Sequence, residues 1–151
     1  MIRRPPRSTL RRTRFPYTTL FRSTDGGSSH TLTLGESGQS GAFALGGNVT
    51  VGTLATVAQA YDVSLTGAAS VIDTDTTFQN TGALTLGDAS TDSTTFIGGL
   101  DTTAASGTTV AGTVATTDNA MDLGAVTLGA NATLSSGIGQ VTTSSITDGG
   151  S

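Results

Sequence analysis

Short segments that alternate apolar with hydroxyl side chains, each closed by glycine, recur along this chain. The clearest are 31–35, 48–52, 83–87 and 125–129, and looser versions are 42–46, 62–67 and 94–98. Successive side chains of a strand point to opposite faces, so these segments place Val and Leu on one face and Thr and Ser on the other. Stretch 51–61 comes nearest to a helical pattern, but its β-branched residues weaken it. The pattern predicts an all-β protein.

The spacing of these segments indicates how the strands are arranged. Leu65 and Leu86 lie 21 residues apart, and Leu86 and Leu128 lie 42 apart, which is twice that length. Short strands and tight turns that repeat every 20 residues or so are typical of a β-solenoid. Leu34 and Leu65 are 31 residues apart, which predicts loop insertions in some coils. Thr and Ser are expected to form ladders along the outside of the stack.

A longer repeat is also visible. The sequence at 24–28 returns at 147–151, an offset of 123 residues. This identity predicts that the chain holds about one unit of a larger tandem array. At the coil length above, one unit corresponds to about six coils.

Residues 1–23 differ in composition from everything that follows. All seven Arg and all three Pro lie in this segment, whereas all 21 Gly lie beyond it. Residues 1–10 and 15–23 resemble the translated start and end of a short-read sequencing adapter, with room for a sample index between them; Arg14 departs from the match. A nucleic-acid-binding arm and a secretion signal are the alternatives, but no apolar core of a signal peptide follows the arginines. We interpret 1–23 as non-native and disordered, and 24–151 as the protein.

The charge of residues 24–151 excludes one class of partner. This part has eleven acids and no Lys or Arg, so its formal charge is −11. It lacks the cations that neutralise phosphates, so we expect no nucleic-acid binding. No apolar run approaches the ~20 residues of a membrane helix, so we expect no membrane insertion by this segment. The absence of Cys removes disulfides and thiolate metal sites.

Two features invite a catalytic interpretation. His30 is the sole imidazole, but nothing in the spacing supplies a nucleophile and an orienting acid for it. Asp73 and Asp75 would share one face of a strand, and paired carboxylates perform glycoside hydrolysis. The same stretch fits a solvated strand face equally well, and residues 24–151 offer no basic side chain as a proton abstractor. We assign no catalytic residue and no cofactor-binding residue.

Calcium is the ion that these acids suit best, because Ca²⁺ takes six to eight oxygen ligands. Three acid pairs stand beside Gly-rich turns: Asp73/Asp75, Asp88/Asp92 and Asp118/Asp122. The Gly-Gly-x-Gly-x-Asp nonapeptide that would make a calcium site specific is missing. Ordinary solvated turns are therefore favoured at each pair, and no residue is assigned to a metal.

The stretch 124–134 and its looser relatives resemble repeat regions of large secreted bacterial surface proteins of the filamentous-haemagglutinin and autotransporter-passenger type. The resemblance implies a right-handed parallel β-helix, exported to the cell surface, that acts as a non-catalytic stalk or adhesive segment. Its partners would be neighbouring repeats of the same chain and host-surface or matrix glycans or proteins. Two alternatives stay open: a carbohydrate-active β-helix enzyme centred on Asp73 and Asp75, and a low-complexity disordered fragment.

Overall fold

A computed structural model describes residues 23–24 and 30–150, and within them every regular element is a β-strand. The interpretation of residues 1–22 as adapter lies outside the described residues. The strands are β1 (Ser23–Thr24), β2 (Thr31–Leu34), β3 (Phe43–Leu45), β4 (Val49–Val51), β5 (Thr53–Thr56), β6 (Val63–Leu65), β7 (Ala69–Ile72), β8 (Thr76–Thr77), β9 (Ala83–Leu86), β10 (Ser93–Phe96), β11 (Leu100–Asp101), β12 (Gly107–Thr116), β13 (Met121–Ser135) and β14 (Val141–Asp148).

The strands stack as a parallel β-solenoid with three sides and about six turns. Side 1 holds β2, β5, β8, β11 and the first parts of β13 and β14. Side 2 holds β3, β6, β9, the first part of β12, the middle of β13 and the end of β14. Side 3 holds β1, β4, β7, β10 and the ends of β12 and β13. Every strand pair is parallel, and the predicted β-solenoid is confirmed.

Register on side 2 confirms the spacing seen in the sequence. Leu65 pairs with Leu86 directly. Leu86 pairs with Val110, which pairs in turn with Leu128, so 42 residues span two coils. Leu45 extends the column in the other direction. Parallel strands bring the same inward position of each coil into contact, so these side chains form one continuous apolar column.

The 31-residue spacing between Leu34 and Leu65 has a different cause from the predicted one. Leu34 pairs with Thr56 on side 1, whereas Leu65 pairs with Leu45 on side 2. The two leucines therefore lie on different sides, one coil and one side apart. The interpretation of this spacing as a loop insertion was wrong.

Two long strands near the C-terminal end turn corners without breaking. β12 covers sides 2 and 3, with a register shift between Val110 and Gly112. β13 runs along all three sides, through Gly124 and Gly129. We expected glycine to end a strand, but at these corners it lets the strand bend while pairing continues.

The interior contains hydroxyl side chains as well as apolar ones. Aromatic pairs fill part of it: Phe43 meets Tyr61 edge to face at 5.5 Å, and Phe78 meets Phe96 at 6.0 Å between ring centroids. Among the buried polar residues are Ser70, Thr76, Thr94, Thr102 and Thr108. The expectation that Thr and Ser lie outside is therefore only half right. Buried hydroxyls are tolerated because they find partners, as when Thr108 Oγ1 donates to Thr102 Oγ1 at 3.0 Å.

The two copies of the five-residue repeat occupy different places in the coil. Thr24 pairs with Thr50 on side 3, whereas Thr147 pairs with Thr127 on side 2. The two segments share a sequence, but they do not occupy equivalent positions in the solenoid. The 123-residue array stays a prediction.

Candidate functional site: the acidic corners

Most acidic side chains of the described residues lie at the corners between sides or on side 1, and Asp148 ends β14 on side 2. Asp62, Asp73, Asp75, Asp88, Asp92 and Asp118 lie in connections between strands, and Asp101 and Asp122 lie in side-1 strands. Corners are where backbone N–H groups lose their place in a sheet ladder and need another acceptor. The acids therefore lie where their carboxylates can accept hydrogen bonds from these backbone N–H groups.

Three corner side chains bind the backbone of the next coil. Asp62 Oδ1 accepts the Ala83 N–H at 2.8 Å, and Asp118 Oδ1 accepts the Ile138 N–H at 3.1 Å. Asn48 Oδ1 accepts the Ala69 N–H at 3.0 Å. The partners stand 20 or 21 residues apart, which is one coil. These bonds fix the register between coils, because a slip of one residue would leave each N–H without its acceptor.

Asp88 and Asp92 form the one predicted acid pair that the structure brings together. Asp92 is buried in the corner between β9 and β10, and its Oδ2 accepts the N–H groups of Asp88 at 2.9 Å and Ala89 at 3.0 Å. The Asp88 N–H is the largest influence that holds the pKa of Asp92 below its ordinary value. The pKa of Asp88 is raised, chiefly by a side-chain hydrogen bond with Asp92 and then by burial. The two carboxyls therefore titrate apart.

Replacing Asp92 with alanine should lower the free energy of unfolding by about 1–2 kcal/mol at pH 7, because two backbone hydrogen bonds are lost. The folded-state pKa of Asp92 is depressed, so its contribution is present above the unfolded value of about 4 and is lost as pH falls through the folded pKa. The difference between Asp92→Ala and the wild type should therefore shrink below about pH 4. Urea unfolding between pH 3 and 7, followed by circular dichroism, measures it.

Asp88→Ala is the matched control. This change keeps both N–H donors and removes a carboxyl whose raised pKa stabilises the fold only while it is protonated. At pH 7 the stability should change by less than about 0.5 kcal/mol or rise slightly. Equal losses in the two variants would contradict a specific role for the Asp92 carboxylate.

Asp73 and Asp75 do not share a strand face. They lie in the connection between β7 and β8, with Asp75 exposed and Asp73 half-buried. The backbone there is tied to the preceding coil: the Asp73 N–H donates to Val51 O at 3.1 Å, and Thr74 Oγ1 donates to Thr53 Oγ1 at 3.0 Å. The expectation of two carboxylates projecting from one strand was wrong, because the chain turns between them.

The third pair, Asp118 and Asp122, is also separated by the fold. Asp118 has a left-handed backbone, with φ of 57°, and its carboxylate is bound to the Ile138 N–H. Asp122 lies in β13 next to Asp101, its register partner on side 1. In the part of the chain that the structure describes, no three His, Cys, Asp or Glu side chains come together in a metal-binding group.

Asn80 is a buried polar residue that sequence reasoning missed. Its Nδ2 donates to Tyr61 O at 3.2 Å, while its buried Oδ1 has no hydrogen-bond partner. The Tyr61 hydroxyl donates to Leu34 O at 2.7 Å and accepts the Val57 N–H at 2.9 Å. Tyr61 and Asn80 thus hold the corner between sides 1 and 2 of neighbouring coils. His30 is exposed just before β2.

Away from the acidic corners, side 2 presents an uncharged hydroxyl surface. Its central outward column runs through register partners Ser64, Thr85, Thr109, Thr127 and Thr147. Thr127 and Thr147 hydroxyls lie 3.4 Å apart. Neighbouring strands in a sheet are 4.7–4.9 Å apart. The column is thus a regular row of hydroxyls along the solenoid axis.

Comparison with protein-family models, with curated proteins and with solved structures finds no match to this chain. No helix among the described residues is long and apolar enough to cross a bilayer.

Proposed function

We propose that residues 24–151 form a non-catalytic structural or adhesive segment of an exported bacterial surface protein, of the filamentous-haemagglutinin or autotransporter-passenger type. Within the part that the structure describes, the observation that carries the proposal is the use of corner carboxylates to bind backbone N–H groups. Asp62 and Asp118 link neighbouring coils, and Asp92 closes its own turn. These hydrogen bonds give each carboxylate a structural role in its corner, which supports a non-catalytic segment.

The solenoid also suits a stalk. Each coil contacts its neighbours through parallel strand pairs, so the rod can lengthen by adding coils. Neighbouring repeats of the same chain would extend it through the same pairing. Most of the acids are spread along the corners and side 1, and repulsion between charges is screened beyond ~8–10 Å.

For the adhesive part of the proposal, side 2 is the binding surface. Its outward row carries hydroxyls and no charge, so it can donate to and accept from the hydroxyls of a glycan or from a matrix protein. A regular row favours an extended repeating ligand, because contacts recur at each coil and add by multivalency. Host-surface or matrix glycans and glycoproteins have this character.

Binding of the full chain to immobilised matrix glycoproteins and glycans tests the adhesive part. Thr109→Glu places a charge in the middle of the hydroxyl row and should weaken binding about tenfold or more. Ser90→Glu adds the same charge at an exposed corner outside the row and should leave binding within about twofold. Equal effects of the two variants, or no binding at all, would reject side 2 as an adhesive surface.

The same preparation tests the absence of catalysis. Release of reducing ends or unsaturated products from polysaccharides by the wild type would contradict the proposal. Loss of that release in the Asp73→Asn, Asp75→Asn double variant would then establish the enzyme alternative.

A further inference from the structure

In the described part of the chain, side 3 differs from the other two sides because its strands carry no charged side chain. Asp101 and Asp122 lie in side-1 strands, and Asp148 lies in the side-2 part of β14. The outward positions of side 3 alternate with buried ones along each strand, and register aligns them in two rows along the solenoid axis. The rows are Ala69, Ser93, Thr113 and Thr133, and Thr50, Val71, Thr95, Ala115 and Ser135. Side 3 therefore presents hydroxyl and methyl groups without charge.

The two rows form a regular lattice. Ser93 and Thr95 of β10 pair with β7 on one side and with β12 on the other, and neither ladder has a register shift. Neighbouring strands set a spacing of about 4.7–4.9 Å along each row, and alternate residues of one strand set about 6.6–6.8 Å between the rows. The β-branched side chains of Thr and Val have few χ1 rotamers. The hydroxyl and methyl positions are therefore fixed before any ligand arrives.

Charge and spacing decide which occupant suits this face. A charged partner would find no opposite charge there, so the occupant must be uncharged and must repeat at the intervals of the lattice. Crystalline polysaccharides are uncharged and regular, but sugar rings stack best on aromatic side chains, and neither row holds one. Ice is also uncharged, and on its prism faces water oxygens repeat at intervals close to those of the rows. Ice therefore matches side 3 in both respects.

We propose that side 3 binds ice. Each hydroxyl can donate to and accept from water. The methyl groups between the hydroxyls leave first-shell water bonded to other water molecules, which favours an ordered layer. The rows hold this layer in positions that continue into the crystal, and each added coil contributes another pair of contacts, so binding strengthens with the number of coils. This surface is separate from the hydroxyl row of side 2, and the inference does not rest on the proposed adhesion.

Enrichment of the full chain in slowly growing polycrystalline ice tests the proposal. We expect the wild type to enter the ice, and to lower the freezing point below the melting point. Thr95→Tyr, in the middle of side 3, should reduce the enrichment about tenfold or more, because a protruding ring prevents the rows from contacting the ice together. Thr77→Tyr is the matched control, since it makes the same change at an outward position of side 1. It should leave the enrichment within about twofold.

Circular dichroism melting checks that each variant is folded, and Thr113→Tyr gives a second test in the other row. Exclusion of the wild type from ice, with equal freezing and melting points, would overturn the proposal. Equal losses in Thr95→Tyr and Thr77→Tyr would also overturn it. So would retention on crystalline cellulose or chitin that Thr95→Tyr abolishes, without enrichment in ice, because the face would then bind a polysaccharide. Adhesion through side 2 can succeed or fail without changing any of these outcomes.

Discussion

Replacing Phe96 with alanine is expected to lower the free energy of unfolding by about 3–5 kcal/mol. Phe96 is fully buried in the third coil and packs edge to face against Phe78, with ring centroids 6.0 Å apart. Its strand is paired on both sides, with Ile72 and Thr116 as register partners. Because sheet hydrogen bonds hold the backbone at fixed spacing, the coil cannot collapse into the space that the ring leaves. We therefore expect the loss in the free energy of unfolding to include the full cost of the cavity.

Thr95→Ala is the control for this change. Thr95 immediately precedes Phe96 in β10 and points outward, so its replacement alters β-propensity without opening the interior. It should cost less than about 1 kcal/mol. Denaturant unfolding followed by far-UV circular dichroism measures both variants. A loss for Phe96→Ala as small as that for Thr95→Ala would mean that the aromatic pair does not form a packed core.

Much of the fold could be predicted because the physical rule involved is local. In β6 and β9 the apolar residues alternate with Ser or Thr and face inward at every second position. The side-chain period of a strand dictates this pattern. The 21-residue separation of Leu65 and Leu86 then followed from the stacking of those two strands. Period and spacing together were enough to identify a solenoid.

The apolar pattern did not predict the strands correctly where inward-facing positions are polar. Thr108 and Thr116 are buried in β12, so that strand has no clean apolar alternation. β13 continues through Gly129, which we expected to end a strand. In both cases pairing with neighbouring coils overrides the local signal, and a single segment read alone does not contain that information.

The function of the acids was missed for a related reason. Asp62 immediately precedes β6 and Ala83 begins β9, and these two residues become neighbours only once Val63 is known to pair with Leu84. For Asn48 and Asp62 the available signal was an Asn or Asp just before one strand and an alanine 21 positions later. Asp118 and Ile138, which are 20 residues apart, do not fit this signal. Searching instead for acids close together in sequence led to Asp73 and Asp75, which the corner separates.

Gly112→Ala should be strongly destabilising, with an expected loss of about 3–5 kcal/mol in the free energy of unfolding. Gly112 lies where β12 bends from side 2 to side 3, with φ of +70°. A Cβ there would stand 2.3 Å from Asp92 O and 2.8 Å from Ala89 O. Both are main-chain atoms of the neighbouring corner, and Asp92 O also accepts the Thr113 N–H at 2.8 Å. The clash between this Cβ and the main-chain atoms can therefore be relieved only if the two coils move apart.

Gly38→Ala separates the two causes of this loss. Gly38 has a similar φ of +82°, but a Cβ there would have nothing within 4 Å. It should cost about 1–2 kcal/mol from backbone strain alone. The additional loss in the free energy of unfolding of Gly112→Ala, relative to Gly38→Ala, then measures the cost of the close contact between neighbouring coils. In hydrogen exchange, Gly112→Ala should expose the amides of β10 and β12 together, because the corner joins them, whereas Gly38→Ala should leave both protected. Equal losses in the two variants would mean that the coils can separate at this corner without cost, and that the tight stacking of Gly112 on Asp92 does not stabilise the solenoid.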